Sequence, residues 1–103
     1  MASGVSRVKT GAFFGTGAAL NVDSVGFMPQ RIELLNEDGN CDAVWTKQMA
    51  DASMRKIVDS GAGTTDISME TTNGITPRAA GFSLGADTDL NVDGEKVIFT
   101  AYE

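Results

Sequence analysis

Hydrophobic and polar positions along this chain alternate mainly with a period of two, the spacing of a strand with one face turned inward. Residues 25–36, Val-Gly-Phe-Met-Pro-Gln-Arg-Ile-Glu-Leu-Leu-Asn, carry the strongest local statement. Gly26 can take backbone angles closed to other residues, and Pro29 fixes φ and donates no N–H. Ile32 and Leu34 then share one face, with Arg31, Glu33 and Leu35 on the other. Asn36-Glu37-Asp38-Gly39-Asn40 ends the run with hairpin chemistry, because Asp-Gly tolerates positive φ. Residues 41–47 read as the partner strand, with Cys41, Ala43 and Trp45 on one face and Asp42, Val44 and Thr46 on the other. Trp45, the one tryptophan, reads as a core anchor rather than a ligand platform.

The same pattern places further strands. Residues 64–71 alternate Thr65, Ile67 and Met69 against Asp66, Ser68 and Glu70, which predicts a strand buried on one face. Thr72-Asn73-Gly74 predicts a hairpin turn. Pro77 restricts residues 75–80 to an edge, a strand start or a bulge. Phe82 and Leu84 face the core from a short strand. In the last strand Lys96, Ile98, Thr100 and Tyr102 alternate with Val97, Phe99 and Ala101, and apolar residues on both faces predict a central position.

Two segments leave alternatives open. Residues 5–14 alternate weakly, so they are expected to form an edge strand or an arm leaning on another molecule, and Arg7 and Lys9 would discourage unwanted edge pairing. Residues 48–58 fit a short helical stripe through Met49, Ser53, Met54 and Ile57, or an irregular connection feeding a strand at 55–58; the second is preferred. Leu-Asn-Val-Asp occurs at 20–23 and again at 90–93, suggesting two similar strand starts, on opposite sheets of a sandwich. Seven to eight short strands with regular turn signals, and at most one short helix, predict an all-β antiparallel sandwich or small barrel. Residues 1–16 are read as an N-terminal arm or edge strand, and 17–103 as a single sandwich domain.

Composition narrows the function. A chain of 103 residues with a formal charge of -6 lacks the basic footprint of a nucleic-acid binder. Histidine is absent, which removes the commonest general base and transition-metal ligand. One cysteine, Cys41, allows no internal disulfide, and Asp42 beside it raises the thiol pKa. Gly15-Thr16-Gly17 lacks the rest of a phosphate-binding loop and reads as a turn. No stretch has the apolar length of a membrane span and the N-terminus does not resemble a signal peptide, so synthesis in a cytoplasm and no membrane partner are expected. No nucleophile–base pair stands out, and no enzyme is expected. Asp89-Leu90-Asn91-Val92-Asp93-Gly94 matches the start of a calcium loop, with oxygen ligands at Asp89, Asn91 and Asp93. Its twelfth position is Thr100 instead of glutamate and no helix flanks it, so an ordinary acidic turn is preferred and no cofactor, Ca2+ included, is assigned.

Several motifs in order carry a resemblance: Gly26-Phe27-Met28-Pro29, residues 32–36, Trp45, Met49-Ala50-Asp51-Ala52-Ser53, Thr72-Asn73-Gly74-Ile75, Gly81-Phe82-Ser83-Leu84-Gly85 and Asp89-Leu90-Asn91-Val92-Asp93-Gly94. Together they resemble small virion structural proteins of tailed bacteriophages. The resemblance implies a β-rich virion component without catalysis, either a capsid decoration (cement) protein or a module of a tail, fibre or baseplate. A cement protein is preferred. It would be made in the host cytoplasm, sit on the capsid surface, form a homo-oligomer with a trimer favoured, and bridge major capsid protein subunits. Val5, Arg7, Lys9, Phe13 and Phe14 are then the expected interface residues. The tail-module alternative requires exposed aromatics for a host glycan, drawn from Trp45, Phe13, Phe14 and Tyr102.

Overall fold

The computed structural model describes residues 7–59 and 63–103. Among them there is no helix. Eight strands occur in chain order: β1 (Val8–Phe14), β2 (Leu20–Val22), β3 (Arg31–Asn36), β4 (Cys41–Thr46), β5 (Ser53–Asp59), β6 (Thr65–Arg78), β7 (Gly81–Leu84) and β8 (Lys96–Tyr102). All pairings are antiparallel in one sheet of order β1-β8-β3-β4-β5-β6-β7-β2. The sheet rolls nearly shut, so the fold is a small barrel-like form and not two stacked sheets. Phe13 of β1, Phe82 of β7 and Phe99 of β8 meet across the interior, with ring centroids 5.7 to 6.3 Å apart and edge-on or tilted contacts.

The core follows the alternation. Ile32 and Leu34 of β3, Cys41, Ala43 and Trp45 of β4, and Val97, Phe99 and Ala101 of β8 are all buried. Trp45 Nε1 donates to the Ala50 carbonyl at 3.2 Å, so its polar edge is satisfied inside. Val25 and Phe27, on the β2–β3 connection, join the same core. The β3–β4 reversal lies where turn chemistry put it, but Asn40 takes the left-handed conformation (φ 48°) rather than Gly39. Asn36 Oδ1 accepts the Gly39 N–H at 3.0 Å and holds the turn.

Residues 47–52 form the irregular connection preferred over a helix, with Ala52 at φ 62°, and β5 begins at Ser53. The first strand begins at Val8, and Val5 lies outside the described residues.

Two expectations fail in β6. Residues 64–71 were expected to bury one face, yet Thr65 through Met69 are exposed, with Ile67 at 60% and Met69 at 55%. Alternation shows that a strand has two different faces, but it does not supply an element to cover either. Asn73-Gly74 reverses nothing: both lie inside β6, which runs through fourteen residues. The Asn-Gly pair serves as a bend. Ser53 of β5 pairs with Ile75 while the adjacent Met54 pairs with Glu70, so residues 71–74 loop out of register. Gly74 is required at this bend, since a Cβ there would lie 2.5 Å from the Ser53 carbonyl carbon. Beyond the bend β6 pairs with β7, and no β5 residue faces Pro77, so its missing N–H breaks no ladder on that side.

Candidate functional site

The acidic loop between β7 and β8 is organised from within. Lys56 of β5 sends its ammonium to Asp87 Oδ2 and Asp89 Oδ2, both at 2.8 Å. Burial pushes the Lys56 pKa down, but hydrogen bonds and charge from the two carboxylates outweigh it and hold the ammonium well above the usual lysine value. Asp87 Oδ1 accepts the N–H groups of Asp89 and Leu90 at 3.0 Å each, which curls the chain back on itself. Asn91 is buried: its Oδ1 accepts the Thr16 N–H at 2.9 Å and its Nδ2 donates to the carbonyls of Ala18 and Gly85 at 2.8 and 2.9 Å. Asn36 is equally committed, donating to Leu90 O and Glu95 Oε1.

The three candidate cation ligands therefore do not converge. Asp89 is neutralised by Lys56, Asn91 spends its amide on the backbone, and Asp93 stands exposed on the turn. Among the described residues no cluster of three or more His, Cys, Asp or Glu is placed to hold a metal ion. Sequence reasoning missed Lys56 and Asn36 as partners because each is joined to this loop only by the closing of the sheet. Cys41 faces the same interior. Burial first, then the charge of Asp87, pushes its thiol up to about 12, and Asp42 is the smallest contributor.

The expected interface residues of β1 separate. Arg7 bonds the Glu103 carboxylate through Nε at 3.1 Å and through its terminal nitrogen, and its guanidinium lies 5.1 Å from the Phe27 ring centre. Phe13 is half-buried, with its ring packed on Phe82. Lys9 and Phe14 are exposed. Of the aromatics a glycan platform would need, Trp45 is buried and Tyr102 is half-buried with its hydroxyl donating to Glu33 Oε1 at 3.2 Å.

The larger surface feature is the outer face of the sheet. Strand register sets Ile98, Leu35, Asp42, Ile57 and Ile67 beside one another across β8, β3, β4, β5 and β6. Val44 and Met69 sit in the next row. A groove of about 430 Å³ runs along this face, with Glu33, Asp42 and Arg55 among its polar walls. A largely apolar stripe crossed by Asp42 and bordered by Glu33 and Arg55 is the surface composition of a protein contact more than of a small-molecule cavity. No known protein family, curated protein or solved structure matches the chain.

Proposed function

We propose that this protein is a bacteriophage virion component that acts as a capsid decoration protein, gripping major capsid subunits through the outer face of its sheet. The observation carrying this reading is the apolar stripe from Ile98 to Ile67, most of it on β3, β4 and β8, whose opposite faces are buried in the core. A face of this kind binds by area and shape, and repetition over a lattice multiplies modest contacts into avidity. The resemblance of the motifs to tailed-phage structural proteins supplies the lattice. The docking element moves from the N-terminal arm to this face, because Arg7 and Phe13 are engaged within the chain. The buried Trp45 supports this reading over a glycan-binding tail module, which needs that ring in solvent.

Purified particles from the source phage test the proposal directly. Cryo-electron microscopy should place this chain on the capsid shell, and Leu35→Glu or Ile57→Glu, folded by circular dichroism, should leave most capsid sites empty. Absence of the chain from particles ends the capsid reading. Full occupancy by both variants ends the role of the outer face.

A further inference from the structure

β1 closes one edge of the sheet, and its hydrogen-bond parity shows what it offers. At its two ends the Glu103 N–H donates to Arg7 O and the Gly15 N–H donates to Glu95 O. Antiparallel ladders alternate residues that bond their neighbour with residues that turn their backbone groups away. Arg7, Lys9, Gly11, Phe13 and Gly15 therefore bond β8. Val8, Thr10, Ala12 and Phe14 direct their N–H and C=O groups toward the open edge. The side chains of those four also stand exposed, Val8 at 56% and Phe14 at 66%.

We propose that this edge is an interface for a second copy of the same chain, joined antiparallel about a twofold axis at Gly11. In that register Val8 lies opposite Phe14, Lys9 opposite Phe13, and Thr10 opposite Ala12, each pair occurring twice. All four outward-directed residues then exchange N–H···O bonds with outward-directed residues of the other copy, so the parity is satisfied along the whole strand. Val8 and Phe14, both well exposed apolar side chains, cover each other on the outer face. On the inner face each Lys9 lies against an aromatic ring and away from the other Lys9, so a lysine that would oppose most edge pairings finds a partner here. At the axis Gly11 meets Gly11. Glycine is already needed there, because a Cβ would come within 2.8 Å of the Phe99 ring, and its lack of a side chain also lets the two strands approach at the axis. The joined sheets make the outer faces of both copies one continuous surface, which doubles the area presented to a lattice. The self-complementary register favours a pair over the trimer expected from the resemblance.

The pairing is tested on the purified chain without any particle, so its failure is separate from failure of the capsid reading. Sedimentation equilibrium from micromolar to millimolar concentration should show a monomer–dimer equilibrium. Ala12→Pro removes an N–H that β8 does not use, on a residue preceded by a tolerant glycine, and should weaken dimerisation at least ~10-fold. Leu35→Glu, on the outer face away from the edge, should leave it unchanged. The chain carrying both Thr10→Cys and Ala12→Cys should form an intermolecular disulfide under mild oxidation, since directly opposed residues lie ~5.5 Å apart at Cα; this keeps the test intact if Ala12→Pro does not fold. A monomer throughout, a trimer, a dimer that survives Ala12→Pro but not Leu35→Glu, or no cross-link would each overturn the proposal.

Discussion

Leu-Asn-Val-Asp occurs twice in this chain and takes two structures. At 20–23 it forms β2 and its exit, a short edge strand on β7 with Leu20 opposite Leu84 and Val22 opposite Phe82. At 90–93 it forms no strand; it is the end of a loop wound around Asp87. Asn21 is exposed, while Asn91 is buried with both amide atoms bonded. Leu20 is half-buried and Leu90 is sealed. Asp23 reaches Arg78 in an exposed ion pair at 2.8 Å, whereas Asp93 stands on a turn. Four identical letters thus carry no fixed conformation. What differs is the company: β7 offers the first copy a ladder, and Asn36, Asp87, Thr16, Ala18 and Gly85 offer the second a set of fixed polar partners.

That contrast is sharpest to test at the support of the second copy. Lys56→Met leaves Asp87 buried without its cation and should cost about 3–5 kcal/mol, read by urea unfolding. A loss under about 1 kcal/mol would show that the loop folds without the ion triad. The pH dependence follows from the raised lysine pKa. The stabilisation is fully present below the unfolded lysine value of about 10.4 and is lost as pH rises through the higher folded value. The stability gap between the native chain and Lys56→Met should therefore stay constant from neutral pH to about 10 and narrow only above it. A gap that closes near neutrality contradicts the arrangement.

The leucines come next. Leu90→Ala should cost about 2–5 kcal/mol and lower the melting temperature by at least ~8 °C, while Leu20→Ala should cost about 1 kcal/mol. Equal losses would erase the distinction between the copies. Asn91→Ala should cost about 2–3 kcal/mol by stranding the Thr16 N–H and two carbonyls, measured by thermal unfolding. Asn21→Ala, in solvent on β2, should stay within about 0.5 kcal/mol of the native chain.

The parts of the fold legible from residue order share a physical cause. In β3, β4 and β8 the alternation is strong, turn residues stand at the boundaries, and a covered inner face lets the pattern act as predicted. The absence of histidine and the acidic charge balance also need no structure, because they depend only on which side chains exist. β6 was misread on both counts for one reason. Asn73-Gly74 allows a reversal but does not compel it, and Ile67 and Met69 are buried only if something lies over them. In the candidate calcium loop the acidic spacing is real, but Lys56, distant in sequence, pairs with Asp89, and Asn91 turns to the backbone instead.

Local order thus set the strand periods, the turn-competent positions and the charge balance, because these depend on backbone geometry and composition within a few residues. The nearly closed barrel, the outward-facing apolar stripe, the open β1 edge and the divergence of the two Leu-Asn-Val-Asp copies were decided by long-range closure of the sheet. Burial and ion pairing are properties of neighbours in space, and only the folded chain specifies who those neighbours are.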